Sequence, residues 1–593
     1  MDKLKPHLDK LLLTVVFLVC ATSTVLWTLK DQTPPSWDPS HHLCAAYDYY
    51  RPLGHFDLRG FAREFFQTKH YYAPLVHLVT AGFFLIFGAS RLSGIAINLL
   101  SLAVLLGSVY WIGRRLYDNH GGPAGGAAIG LVAGVLTVSY HFNAWLLHDA
   151  FLDYPLLAHV TLTFALLIKA DRFESRADAV RFAIAAGLGF WAKQTFGFFF
   201  ILPGAYVGLR VLMTRDRRAI INLLLAGAII AIIIAVWYGP HLQDAIAIYR
   251  INQRGALDEN EPPVFSCTSL IFYWHTLISA QMQMPLAILF GLGLIYSLIR
   301  ARRESLMLYL WLLSGIIMFT LVANKDVRYT VPVLPAAALL SVCWLREFYR
   351  RVVPRSDESP PSTFRWRKPL LALKLALVAL IVGWAAVSFF NAQWPAAGQG
   401  THVDTPYFRW WVFGRNYFVY DHRPQAHDWG IPEVVRTVAE FPYDETSPSV
   451  RAMTRPMVLR QKYLSLDPHE TERAEKQPYG KEDLFVWPTL GVVVNRPFLN
   501  SSACAWSART MVPERAGMPL VTIESIGDET EMADRLDHCD YLLVRSGLDH
   551  AEDVKPVERM IEAAVRNNPL RFHEVGRFPT PLDGIEAVLY KCW

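Results

Sequence analysis

Nine residues whose types can do chemistry stand at the edges of long apolar runs. They are Asp38, His41 and His42 in "PSWDPSHHLCAAYDYY", Asp149 and Asp153 in "HDAFLDYPLL", Lys193 in "GLGFWAKQTFGF", and Lys325, Arg328 and Tyr329 in "ANKDVRYTVPVLPA". A carboxylate held against a membrane surface gains a raised pKa and a fixed orientation, which suits a general base. Asp38 fits that description. It fits a helix cap equally well, because Asp precedes Pro39 at a first helical position, and both roles can hold. Asp153 stands where an apolar run begins, with Asp149 one helical turn earlier, and two carboxylates at a membrane boundary are costly unless used or paired. The alternative for Asp153 is again a cap. His41, His42 and His148 could join the aspartates as metal ligands, but no spacing is diagnostic. The sequence requires no cofactor and leaves a divalent cation open.

Lys325 and Arg328 are cations that call for an anionic partner. Phosphate is the natural one because arginine binds it bidentately. Lys193 can join them; lipid headgroups or an ion pair with Asp326 are the competing readings.

The elements that must position these residues are membrane helices. Apolar segments run over 11–29, 94–113, 124–146, 152–170, 219–239, 285–299, 306–323, 329–347 and 370–390, and the run 178–213 is long enough for two. Between them lie basic clusters: Arg114 and Arg115; Lys169 to Arg181; Arg210 to Arg218; Arg300 to Arg303; and Arg346 to Arg355. Placing each cluster in the cytoplasm, as the positive-inside rule prefers, alternates the loops only if the stretch 72–88 does not cross. It is therefore read as an interfacial or re-entrant helix. The expected architecture is a polytopic α-helical membrane protein of about eleven spans with a cytoplasmic amino terminus. Every residue singled out above then falls on the external side, and Trp37 anchors the first exit at the interface. The first span follows Lys3, Lys5 and Lys10, as a signal peptide would. "ATS" is a poor cleavage site, however, and the apolar run continues past it, so an uncleaved anchor is expected.

Composition agrees. Of 593 residues, 53% are hydrophobic and 13% aromatic, too apolar for an average soluble enzyme. The net charge of +5 comes from short loop clusters, so nucleic acid is set aside as a partner. Seven irregularly spaced cysteines make no CxxC pair and no disulfide framework.

Beyond about residue 391 the composition changes. "VTIESI", "DYLLVRS", "FHEVGRF" and "EAVLYKCW" are strand-like, whereas "GIPEVVRTVAEF" and "VKPVERMIEAAVRN" are amphipathic helices. The expected division is a transmembrane domain over 1–390, with a first external loop at 30–71, and a soluble external α/β domain over 391–593. A polar cytoplasmic linker, "PRSDESPPSTFRWRK" (354–368), precedes the last span.

Taken in order, "WDPSHHLCAAYDYY", "YYAPLVHLVTAGFFLIFGAS", "YWIGRRLYD", "FLDYPLLAHVTLTFALLI", "GLGFWAKQTFGFFFILPG" and "KDVRYTVPVLPAAALL" resemble the landmarks of the GT-C glycosyltransferases, in particular the protein O-mannosyltransferase and aminoarabinose-transferase-like branch widespread in bacteria. The resemblance covers about residues 10–390. It implies a multi-pass enzyme of the bacterial inner membrane with its last domain in the periplasm. Its donor is a polyprenyl-phosphate-linked sugar, and its acceptor a glycan, lipid or protein. It further implies that Asp38 is the base on the acceptor, that Asp153 is the second acidic residue, and that Lys325 and Arg328, before "RYxxPxxP", lie near the lipid phosphate. One departure stands out. The family often has Asp-Glu where this chain has Asp38-Pro39, so the role of that Glu is absent or moved to His41 or His42.

Two other classes compete. A lipid or sugar-lipid flippase or transporter would place ionisable residues mid-span and often show inverted repeats; here they gather at one surface. A membrane-anchored binding protein would place its activity in the last 200 residues, and the absence of a catalytic motif there is consistent with that class.

Overall fold

The computed structural model describes residues 8–67, 72–121, 123–258, 261–346 and 367–395, and beyond them 400–405, 409–414, 422–426, 429–440, 489–494, 499–511, 520–523, 536, 539–546, 556–580 and 585–592. Most of the expected linker, 354–366, falls outside the described residues.

The chain is a helical membrane protein with a sheet-containing carboxy-terminal region. Among the described residues, five helical stretches are long and apolar enough to cross a membrane: Leu8–Lys30, Arg91–Asp118, Gln194–Thr214, Arg217–Tyr238 and Leu375–Gln393. Shorter apolar helices include Leu75–Phe87, Met284–Arg300 and Leu306–Thr320. The thirteen residues of Leu75–Phe87 reach only about 20 Å at 1.5 Å per residue, short of the ~30 Å apolar thickness of a bilayer.

Several apolar runs break where function was expected. The run 124–146 divides at Tyr140, whose extended backbone (φ −56°, ψ 128°) separates Pro123–Ser139 from His141–Leu146. The run 329–347 yields a 3-10 turn, Val331–Val333, before helix Leu334–Val342, because Pro332 and Pro335 supply no backbone N–H. Lys193 itself is the break in the run 178–213. It is fully extended (φ −162°, ψ 139°) between helix Arg176–Ala192 and the 3-10 segment Gln194–Phe200.

The chain divides into two compact units. Residues 1–28, 66–79 and 95–423 form the first; residues 29–65, 80–94 and 424–593 form the second. In the first unit, helices Ala96–Gly121 and Pro123–Ser139 meet at glycines. A Cβ on Gly113 would lie 2.5 Å from the Gly130 Cα, so nothing larger than glycine fits that crossing. The short strands β1 (Thr401–Asp404) and β2 (Arg409–Phe413) pair antiparallel in this unit.

The second unit is an α/β structure. β3 (Leu490–Val492), β4 (Leu520–Thr522), β5 (Tyr541–Ser546), β6 (Phe572–Pro579) and β7 (Glu586–Cys592) form a sheet in the order β4-β3-β5-β7-β6. β3 runs parallel to β4 and β5, while β7 pairs antiparallel with β5 and β6. Alternation along β5 sends Tyr541 and Leu543 to a core with helices Ile431–Glu440 and Ser501–Met511, and Leu542 and Val544 to a second core with helix Pro556–Asn567. Helix Trp37–Gly54 also packs against Ser501–Met511. All seven cysteines are free thiols and only Cys267 is exposed.

Candidate active site

In the first unit, the breaks in the helices bring together most of the expected polar residues. Asp153 opens helix Asp153–Ala170, but Leu152 is the N-cap and makes no side-chain cap bond. Asp153 is instead an ion-pair partner: the Lys193 ammonium donates to its Oδ1 at 2.8 Å, with side chains only 3% and 10% exposed. The same ammonium lies 5.4 Å from the centre of the Tyr329 ring.

Arg328 sits in the turn after helix Leu306–Thr320. Its backbone N–H and Nε donate to Asp326 Oδ1 at 2.8 and 3.1 Å, and its Nη2 donates to Oδ2 at 2.6 Å. Its guanidinium carbon lies 4.8 Å from the ring centre of Phe151, which precedes Asp153 by two residues. An ion pair with Asp326 is thus formed, by Arg328, while Lys193 takes Asp153. Burial pushes the Asp326 carboxyl up, but the charge and hydrogen bonds of Arg328, helped by Lys193, outweigh it and hold the group below its ordinary value.

Lys325 has a different task. Its buried ammonium donates to the carbonyls of Phe319, Thr320 and Val322 at 3.3, 2.8 and 2.5 Å, closing the end of helix Leu306–Thr320. Burial lowers its pKa. Asp149 accepts from the Ala150 N–H at 2.9 Å. His148 stacks on Trp27 with ring centres 3.7 Å apart.

Three positioning residues escape a sequence reading. Asn98, inside the apolar run 94–113, donates from Nδ2 to the carbonyls of Leu146, Leu147 and Asp149 at 3.3, 3.2 and 2.7 Å, pinning the non-helical segment ahead of Asp153. Gln281 donates to the Val327 carbonyl at 2.6 Å and to the Thr330 hydroxyl at 3.1 Å, fixing the Arg328 turn from the π-helical turn Leu277–Met282. Tyr273, fully buried, meets the backbone of Asp326 through its hydroxyl at 3.4 Å. A lone amide in an apolar run is the one signal that could have found Asn98.

Asp38, His41 and His42 belong to the second unit. Helix Trp37–Gly54 has Ser36 as its N-cap, so Asp38 lies inside the first turn and not at the cap. There a carboxylate is favoured by the helix dipole. The Ser40 hydroxyl donates to the Pro35 carbonyl at 2.6 Å and fixes the entry of the chain. Asp38 is half-buried, His42 buried and His41 exposed. Among the described residues no three His, Cys, Asp or Glu side chains gather in a way that would hold a metal ion.

No protein-family model matches the sequence, and no curated protein matches it either. Solved structures do match. The apo state of ArnT from Cupriavidus metallidurans superposes with a TM-score of 0.51 at 15% identity, over 97% of each chain. The archaeal oligosaccharyltransferase AglB from Archaeoglobus fulgidus, in complex with an inhibitory peptide and a dolichol-phosphate, gives 0.53 at 13% identity over 92% of this chain and 70% of that one. The Archaeoglobus fulgidus oligosaccharyltransferase tethered to an acceptor peptide also gives 0.53, at 14% identity over 93% and 70%. The fold is that of the GT-C membrane glycosyltransferases. At these identities the likeness is one of architecture; in this chain the Asp153, Lys193, Asp326 and Arg328 cluster lies where helices are interrupted.

Proposed function

We propose that the chain is an integral-membrane glycosyltransferase that moves a sugar from a polyprenyl-phosphate donor to an acceptor glycan, lipid or protein on the external face of a bacterial inner membrane. The observation that carries the reading is the cluster of ionisable side chains at helix breaks: Lys193 paired to Asp153 at 2.8 Å and Arg328 to Asp326 at 2.6 Å. Ionisable groups at membrane boundaries are costly, and these are held by dedicated backbone irregularities. Lys193 and Arg328 bring ammonium and guanidinium donors to one place, the donor types that bind an anionic phosphate.

The acceptor hydroxyl gives its proton to the Asp38 carboxylate as its oxygen bonds to the anomeric carbon. The bond from that carbon to the phosphate oxygen breaks, and its electron pair leaves with the lipid phosphate. Charge therefore grows on the phosphate through an oxocarbenium-like transition state. Arg328 and Lys193 offset that charge; only one of the three ammonium donors of Lys193 is engaged by Asp153. Prepositioned cations of this kind stabilise the transition state more than the ground state. Asp153 and Asp326 orient the cations, and Lys325 holds the turn that carries Arg328. The division into a catalytic membrane domain and a periplasmic domain that contributes to acceptor choice belongs to the same reading.

Lipid mass spectrometry of cells with and without the protein identifies the donor as the sugar-lipid that accumulates in its absence. With that donor in proteoliposomes, Asp38→Asn abolishes transfer while the protein still folds. Full activity of this variant would remove Asp38 as the base. An accumulated lipid without a sugar would favour the flippase.

A further inference from the structure

The carboxy-terminal end of helix Trp37–Gly54 carries a feature that glycosyl transfer does not use. Within the second unit, Tyr47, Tyr50, Arg51, His55, Arg509 and Thr510 line a cavity of about 300 Å³. Arg509 donates to both oxygens of Asp48, at 2.9 and 3.1 Å. Arg51, in the last helical turn, is exposed and has no ion-pair partner among the described residues. Two guanidiniums and one carboxylate leave the cavity with net positive charge, and two phenols beside them add hydroxyl groups. A cavity of this size and lining suits a phosphate group and the first atoms attached to it.

Directly beside it the surface is apolar. Phe56 is 91% exposed, Leu58 71%, Ile86 71% and Phe87 67%. Single exposed apolar side chains need no explanation, but these come from two adjoining turns of chain. Tyr50 meets Phe84 edge-on with ring centres 6.0 Å apart, and a Cβ on Gly54 would lie 3.8 Å from a methyl of Leu85. Ala89, next after Gly88 (φ +79°), also lines the cavity. Phe56 has a positive φ of 55°, a conformation bulky residues rarely adopt, and its phenyl ring is held outward from the helix end.

We propose that this corner of the second unit is a membrane-contact site. Phe56, Leu58, Ile86 and Phe87 enter the edge of the bilayer, and the cavity at Arg51 and Arg509 takes the phosphate of an anionic lipid headgroup. The juxtaposition favours a lipid over free phosphate, because a soluble anion gains nothing from the apolar rim. The site contains none of the residues assigned to sugar transfer and does not depend on that assignment.

The test uses the full chain purified in an uncharged detergent and titrated with dihexanoyl phosphatidic acid, dihexanoyl phosphatidylcholine or inorganic phosphate, with binding followed by native mass spectrometry. Arg51→Gln, at an exposed position, weakens uptake of the phosphatidic acid at least tenfold, whereas Arg559→Gln, exposed on helix Pro556–Asn567 and outside the cavity, leaves it unchanged. A Phe56→Ser, Ile86→Ser double variant weakens uptake of the lipid several-fold and leaves inorganic phosphate unaffected. Equal lipid uptake by wild type and Arg51→Gln would overturn the proposal. So would inorganic phosphate binding as tightly as the lipid and indifferently to the apolar substitutions, which would mark a soluble-anion site.

Discussion

Two buried ion pairs in this molecule have similar geometry and opposite settings. Lys193 meets Asp153 at 2.8 Å with side chains 10% and 3% exposed; Arg545 meets Glu558 at 2.7 Å with side chains 4% and 2% exposed. Arg545 lies on strand β5 and Glu558 on helix Pro556–Asn567, regular elements with an apolar core between them. Lys193 is an extended residue between helices, and Asp153 follows a non-helical segment pinned by Asn98. The first pair comes from backbone that is irregular in order to present it. The second adorns backbone that other contacts already determine. On the proposed mechanism, burial of charge alone does not mark a site, and burial of charge on interrupted helices is the stronger signal.

That contrast can be broken or sharpened by substitution. The largest effect on stability is expected in the second pair. Arg545→Met strands a buried carboxylate and costs about 3–5 kcal/mol, whereas the joint change Arg545→Met, Glu558→Leu is near neutral. Arg545 Nε and Glu558 Oε1 find no hydrogen-bond partner among the described residues, which favours the apolar replacement. Thermal unfolding of the single and double variants reads this difference, and the transfer rate of the folded fraction stays at the wild-type value in both. Lys193→Met is expected to behave otherwise. Losing a cation on the developing phosphate charge lowers transfer about 10²- to 10³-fold, as removal of one oxyanion donor does elsewhere. A normal rate in this variant would erase the distinction between the two pairs.

Asn98→Ala is expected to lie between them. It touches no substrate in the proposed mechanism but releases the segment before Asp153, and a shift of that segment costs roughly 10- to 100-fold in rate. The thermal midpoint should fall far less than for Arg545→Met. The smallest effect concerns pH. Asp326 has a folded pKa below its ordinary value, so its pairing with Arg328 stabilises the protein fully above the ordinary carboxylate pKa and is lost as pH falls through the lower folded value. The difference in thermal midpoint between wild type and Asp326→Asn should stay constant from about pH 7 to 5 and shrink below about pH 4.

Much of this was legible in the sequence, for a physical reason. Hydropathy and loop charge report where helices end, and Asp153, Lys193 and Arg328 all sit at such ends. What a side chain finds once it is there depends on contacts between distant segments. The sequence suggests a phosphate ligand at Lys325, because nothing local shows that three carbonyls at the preceding helix end point at its ammonium. The break at Tyr140 carries neither Gly nor Pro, so the apolar run 124–146 reads as continuous. The Asp-Pro pair suggests a cap for Asp38 beside its role as a base, but Ser36 takes the cap position one residue before Trp37. Membership of 29–65 and 80–94 in the same compact unit as 424–593 is likewise invisible to periodicity.

The discontinuous make-up of the second unit has a consequence in time. Asp48 finds Arg509, and Asp31 accepts from the backbone N–H of Gln425 at 2.9 Å, only once the last part of the chain exists. At roughly 5–20 residues per second, the ribosome needs on the order of 20–60 seconds to pass from the end of the second unit's early segments to the start of its late one. Through that interval helix Trp37–Gly54, with Asp38 in its first turn, waits without the elements that complete its core.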